Sequence, residues 1–429
     1  MFGGVIESSG AFGASTGTVD APKAQQGARG QALARRQAIS LMKIVIAPDH
    51  YKESLSALSV ATEIEAGFRE IFPDADYVKI PMSDGGEGTV EALVAATLGK
   101  IIRVRVSGPL GKPVDAFYGL TGDEKTAVIE MAAASGLELI APAERDPLRA
   151  STFGTGELIR AALDAGAKRF IIGIGGSATN DGGSGMVKAL GGRFFDERNN
   201  ELEAGGAALE QLARIDISGL DSRLHECPID VACDVDNPLI GPDGASSVFG
   251  PQKGATLEMV ARLDRCLARY AEKIQSDLGV SVADLPGGGA AGGLGAGLFA
   301  FLHARLRRGF EIVSDAVGLD RMIADADLVI TGEGRIDSQT MRGKTPFGVA
   351  LTAKRHGKPV IAIAGCLTRE ASAVYGGGID AIFSVLSRPC TQQEALASGA
   401  ENIRRAARNI AAAVRVGTEL GALTRRIGG

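Results

Sequence analysis

The chain has 429 residues, of which 59 are glycine and 45% are hydrophobic, and its 46 Lys and Arg against 51 Asp and Glu leave a net charge of −5. The apolar content excludes a disordered polymer, the missing Gly-X-Y period excludes collagen, and the absence of any basic run argues against nucleic acid as a partner. No window of about 18 uninterrupted apolar residues is available to span a membrane, and five cysteines without C-x-x-C spacing beside four scattered histidines give a reducing cytoplasm and no zinc site as the expectation.

At about 150 residues per domain the length suggests two to three domains. Residues 1–41 are rich in Gly, Ser and Ala without periodicity and read as a disordered extension, with Met42 as the start of the folded chain. A strand is predicted over 43–47. Ser56 then offers an N-cap, and Val60, Ile64, Phe68 and Ile71 recur at helical spacing up to Pro73. A second strand is predicted at 77–80, and the same strand, loop and helix rhythm recurs at 169–174, 229–233, 328–331 and 360–364. This is the alternation of an α/β fold with a mainly parallel sheet. Between about 100 and 130 three alternating strands, 101–106, 114–120 and 126–130, joined by turns, indicate a second, mixed α/β domain. Amphipathic stretches at 257–278 and 392–416 read as covering helices. The glycine-rich run 286–295 reads as an anion loop, a hinge or a close-packing segment.

In an open α/β sheet ligands gather beyond the carboxyl ends of the strands. The loops that follow the predicted strands, 47–52, 81–89, 175–183, 234–238 and 331–337, concentrate glycines and carboxylates. Glycine lets backbone N–H groups close on an anion, a following helix N-terminus adds partial positive charge, and carboxylates suit a hard cation such as Mg²⁺. Taken singly, each loop is also explained by turn and cap chemistry. Gly343-Lys344-Thr345 does not complete a phosphate-binding P-loop, because Ser338 stands where the first glycine belongs. Gly173-x-Gly175-x-x-Ala178 with Asp196 formally matches a dinucleotide fingerprint, but the next helix is predicted only near Gly183. An NAD(P)-dependent dehydrogenase is therefore the weaker enzyme reading, and a non-catalytic anion-binding regulatory protein is weaker still, because carboxylates would repel its ligand.

Ala47-Pro48-Asp49-x-x-Lys52-x-Ser54-Leu55-Ser56-Ala57, Pro81-Met82-Ser83-Asp84-Gly85-Gly86-Glu87-Gly88-Thr89, Gly175 to Gly183, Asp234-Val235-Asp236-Asn237-Pro238-Leu239, Phe249-Gly250-Pro251-Gln252-Lys253-Gly254-Ala255 and Ile330-Thr331-Gly332-Glu333-Gly334-Arg335 together resemble the type-1 glycerate kinase family, in order and from Met42 almost to the C-terminus. The resemblance implies ATP-dependent phosphorylation of D-glycerate with Mg²⁺, 2-phosphoglycerate being favoured over 3-phosphoglycerate. It also implies a Rossmann-like, three-layer parallel-sheet domain built from both chain ends, 42–81 and 290–429, around an inserted domain at 82–289. The family commonly carries Ser-Phe where this chain has His50-Tyr51.

Phosphoryl transfer needs cations for the phosphates, and Lys52, Lys253, Arg335 and Lys344 are the motif-borne candidates. Asp49 and Asp181 are the best-placed general bases, so Asp49, Lys52 and Asp181 form the candidate catalytic set. Both Lys52 and Asp181 sit in polar loop segments, where replacement is expected to open no core cavity. Asp84, Glu87, Asp234, Glu333 and Asp337 remain for Mg²⁺ or substrate hydroxyls, with Asp234 and Asp337 taken as the metal ligands. Ser83, Gly85, Gly86, Gly176, Ser177, Asn180, Asn237 and Thr340 are the uncharged candidates for contact with substrate or nucleotide.

Overall fold

The structure, a computed structural model, describes residues 42–427; the extension expected at 1–41 lies outside the described residues. Among the described residues thirteen strands are formed: β1 (Lys43–Pro48), β2 (Asp76–Lys79), β3 (Lys100–Ser107), β4 (Pro113–Leu120), β5 (Thr126–Glu130), β6 (Arg169–Gly173), β7 (Arg193–Phe195), β8 (Arg214–Asp216), β9 (Ile229–Ala232), β10 (Arg305–Arg307), β11 (Leu328–Ile336), β12 (Val360–Leu367) and β13 (Ala381–Ser384). The first sheet has the order β13-β12-β11-β1-β2, is parallel throughout and draws on both ends of the chain. The second has the order β10-β9-β6-β5-β4-β3 and is mixed, because β4 runs antiparallel to both β3 and β5. β7 and β8 form a separate antiparallel ribbon.

Side chains alternate across a strand, and β1 is apolar on both faces because both are covered. Ile44 and Ile46 pack with Val60, Ile64 and Phe68 of the helix Ala57–Arg69 and with Ile403 and Ile410 of the helix Gly399–Ile427. Val45 and Ala47 point the other way, into a core that also holds Phe310, Ile312 and Val313 and, from the second sheet, Val128 and Ile171. The first sheet thus has helices on both faces, and one apolar seam joins it to the back of the second sheet. Ser56 caps the helix Ala57–Arg69, its side chain accepting from Ser59 N–H as the sequence predicts.

Two elements differ from expectation. The resemblance implies a return to the first sheet at about 290, whereas β10 pairs with β9 and the helix Ala290–Leu302 packs into the core of the second sheet, so the return follows residue 307. The pattern at 392–416 predicts one helix, but two form, Gln392–Ala397 and Gly399–Ile427, parted at Ser398. Of the readings of the glycine-rich run, close packing applies: a Cβ on Gly292 would meet the Thr179 carbonyl and one on Gly293 would meet Gly182, both at positive φ. No helix among the described residues is long and apolar enough to cross a membrane.

Candidate active site

The larger of two neighbouring cavities, about 750 Å³, opens at the carboxyl ends of β1, β11, β12 and β13. Register explains why β11 supplies it with charge. β1 pairs with β11 only as far as Gly332, while β12 continues alongside to Ile336, so beyond Gly332 one edge of β11 is free and Glu333 and Arg335 border the opening. Asp49 follows β1 directly and is buried; its Oδ1 accepts from His50 N–H and lies 2.7 Å from His50 Nδ1, and its Oδ2 accepts from Thr345 Oγ1 at 2.6 Å. The hydrogen bond to Asp49 raises the His50 imidazole above its ordinary pKa. Glu333 accepts from Thr340 Oγ1 at 2.5 Å and from Lys344 Nζ at 3.1 Å, and burial raises its carboxyl against these two partners. Lys52 is two-thirds exposed, with Nζ 3.7 Å from Glu87, and Arg335 pairs with Asp337 at 3.3 Å.

The smaller cavity, about 240 Å³, is walled by the loops after β2, β6 and β9, including Asp84, Gly85, Gly86, Gly176, Ser177 and Asp234. Gly85 has φ of 93°, and a Cβ there would meet Ala232 and Gly309, so only glycine lets this loop lie against the end of β9. Asp84 accepts from Gly86 N–H at 3.2 Å, and Asp234 accepts from Gly309 N–H at 3.1 Å. Burial, with the Asp49 charge adding to it, raises the Asp84 carboxyl; burial, with the Asp84 charge adding, pushes Asp234 up to about 6. Among the described residues Asp84 alone lines both cavities.

Several residues expected to touch ligand lie elsewhere. Asp181 lines neither cavity: it is fully buried, and its carboxylate gathers Thr152 N–H, Thr152 Oγ1, Gly183 N–H and Gly185 N–H at 2.8 to 3.2 Å, which makes it an anchor of the loop and of the helix Ser184–Ala189. Lys253 is likewise buried, donates to the Thr179 carbonyl at 2.7 Å, and is pushed down to about 7 by burial. Asn180 is buried and donates to Ser246 Oγ, leaving its Oδ1 without a partner. These three hold the 175–183 loop from beneath. Ser83 and Thr340 act in the same way, the first accepting from Gly85 N–H and bonding Thr89, the second bonding Glu333. Asn237 donates to the Asp243 carbonyl, Asp337 caps its own turn through Gln339 N–H, and Glu87 faces a separate hollow beside His50. Among the described residues no group of three or more His, Cys, Asp or Glu side chains is arranged to hold a metal ion.

The sequence motifs omit one wall of the larger cavity: Val385 and Leu386 after β13, Leu396 on the helix Gln392–Ala397, and the thiols of Cys366 and Cys390. The rule that ligands meet strand ends, applied to the weak pattern 381–384, is the signal that leads to it.

A model of the glycerate kinase family matches residues 44–415. The chain is 60% identical to the glycerate 2-kinase of Escherichia coli (strain K12) over 376 residues, 88% of this chain and 99% of the relative. It is 58% identical to the glycerate kinase of Bacillus subtilis (strain 168) over 375 residues, 87% and 98% of the two chains. A crystal structure assigned as glycerate kinase 2 from Salmonella typhimurium LT2 superposes with a TM-score of 0.83 at 64% identity, covering 88% of this chain and all of that one.

Proposed function

Because the chain belongs to the glycerate kinase family, we propose that it moves the γ-phosphoryl group of ATP to the 2-hydroxyl of D-glycerate, leaving ADP and 2-phosphoglycerate. The observation that carries this reading is the pair of adjoining cavities that meet at Asp84, one bordered by Lys52, Arg335 and Lys344 and the other by the glycine-rich loops at 84–86 and 174–177. A transferase of this kind needs two substrates side by side, cations for the phosphates and a proton acceptor where they meet. Asp84, its carboxyl raised by burial, is placed to take the hydroxyl proton as the oxygen attacks phosphorus and the bond to the ADP oxygen breaks. The preference for the 2-hydroxyl follows the glycerate 2-kinase at 60% identity.

Mg²⁺ usually takes one or two carboxylates together with substrate phosphates rather than a cage of protein ligands. The residues present fit that mode: Asp234 borders the junction, and its raised pKa, to which the Asp84 charge contributes, marks a repulsion that a cation relieves. Asp234 would hold the ion, and Asp337, turned to its own cap and to Arg335, would not. Bound there, Mg²⁺ would neutralise charge on the phosphates.

ADP release should require ATP, D-glycerate and Mg²⁺ together, and the product should feed enolase directly without a mutase. A product that reaches enolase only after a mutase is added is 3-phosphoglycerate and overturns the regiochemistry. NADH turnover without ADP release overturns the reaction.

A further inference from the structure

The two cavities differ in size, charge and lining, and the difference assigns their occupants. Small-molecule sites generally run from roughly 300 to 1,000 Å³, so the cavity of about 750 Å³ has room for a nucleotide and the cavity of about 240 Å³ does not. A triphosphate carries several negative charges, and Lys52, Arg335 and Lys344 all border the larger cavity, while among the described residues no Lys or Arg borders the smaller one. A single carboxylate is served by backbone N–H groups alone, and in the smaller cavity the Gly176–Ser177 turn is where these are sought, since Gly85 N–H and Gly86 N–H already donate to Ser83 and Asp84. The larger cavity also has an apolar end, formed by Val385, Leu386 and Leu396, that a purine face would cover. Cys366 and Cys390 border the same cavity, both free and partly exposed, whereas Cys233 borders the smaller one and is buried.

Resting on the reading that ATP is the donor, we propose that the 750 Å³ cavity is the nucleotide site, with the adenine against Val385, Leu386 and Leu396 and the phosphates toward Lys344, Lys52 and Arg335, that the 240 Å³ cavity takes glycerate, and that bound nucleotide covers Cys366 and Cys390. The two thiols then report occupancy of the nucleotide site without any need for turnover.

The test is iodoacetamide labelling of the full chain, followed peptide by peptide with mass spectrometry, alone, with a non-hydrolysable ATP analogue plus Mg²⁺, and with D-glycerate. At a nucleotide concentration about tenfold above Kd the unliganded fraction falls to about one-tenth, so labelling of Cys366 and Cys390 should slow about tenfold, while D-glycerate leaves it unchanged. If the enzyme turns over with ATP yet both thiols label at their free rate, or if D-glycerate alone protects them, the placement is overturned and the kinase reading stands. If ATP supports neither turnover nor protection, both fall. Leu386→Asp supplies a second measurement, since Leu386 is partly exposed and its replacement leaves the core intact. KM for ATP should rise about tenfold or more with KM for glycerate within about twofold of the parent. An equal rise in both, or in neither, contradicts the assignment.

Discussion

Asp84 stands where the two cavities meet, which makes it the sharpest test of how single residues divide their work. Asp84→Asn keeps the shape and the bond from Gly86 N–H, so stability should stay within about 1 kcal/mol of the parent while kcat falls by about 10² to 10⁴, the usual worth of a general base. Asp234→Asn should also slow the enzyme, but its loss should shrink across a Mg²⁺ titration, whereas added Mg²⁺ leaves Asp84→Asn slow; the opposite pattern exchanges the two roles. His50 gives a pH test. Its pKa is raised in the fold by Asp49, so the pair contributes stability that is fully present below the ordinary value of 6.5 and is lost as pH rises through the higher, folded value. His50→Gln should therefore lower the melting temperature more at pH 5.5 than at pH 8.5, and an equal loss at both would show that the ionised pair contributes nothing. At this scale the sequence gives membership of motifs but not roles. Asp49, Asp84 and Asp181 are alike in a sequence, each an aspartate in a loop after a strand, and only burial and partners separate a carboxylate lining a cavity from one satisfied by four donors.

The 175–183 loop is held by buried polar groups, and the consequence reverses an expectation from composition. Residues 175–183 look like a polar surface loop, from which Asp181 could be replaced at little cost. In the fold, Asp181→Asn turns an amide N–H₂ toward donors and leaves at least one of them without a partner, which should cost about 2 to 4 kcal/mol in urea unfolding. A change under about 1 kcal/mol would show that the anchor is dispensable. Glu130 at the end of β5 does the equivalent task for the helix Thr89–Thr97, accepting from Val90 N–H at 2.8 Å, and burial pushes it up to about 7. Unfolded, it ionises near 4.5, so folding holds its proton between these values, and stability is lost as pH rises from about 4.5 to about 7, by on the order of 3 kcal/mol. Glu130→Gln keeps an acceptor and removes the titration. Its stability relative to the parent should therefore grow between pH 5 and pH 8, and parallel unfolding curves at the two pH values would contradict this. Elements with strong periodicity, such as the helix Leu257–Leu278 and the strands β1 and β6, are legible in the sequence because burial on a fixed period writes them. The break at Ser398 carries a local signal in the Ser398-Gly399 pair, but the amphipathic period that runs on through both helices masks it.

Across the whole molecule, the proposed site makes activity sensitive to how closely the two sheets meet. The alternating α and β pattern reveals two sheets, one parallel and one mixed, but it does not reveal where the chain crosses between them, because β10 is only three residues long and too short for a periodic signal. The crossing on which the proposed base depends is at Asp84. Its loop leaves β2 of the first sheet and is pressed against the ends of β6 and β9 of the second, where Gly173, Ala232 and Gly309 leave room for its backbone. Gly309 opens the helix Gly309–Val317, and its N–H also holds Asp234. A Cβ there would strike the Asp84 carbonyl and the Gly85 Cα, which are main-chain atoms with no rotamer to yield, so Gly309→Ala must move the Asp84 loop or the helix. Overpacking of this kind costs about 1 to 3 kcal/mol, and a displacement near 1 Å at a reacting group can cost about 10²-fold in rate. Gly309→Ala should therefore fold with a modestly lowered melting temperature and lose activity far beyond that shift. Gly376→Ala, where a Cβ meets nothing, is the control and should change neither. If Gly309→Ala keeps its rate while losing stability, the seam between the sheets serves only to hold them together, and the placing of Asp84 depends on its own loop.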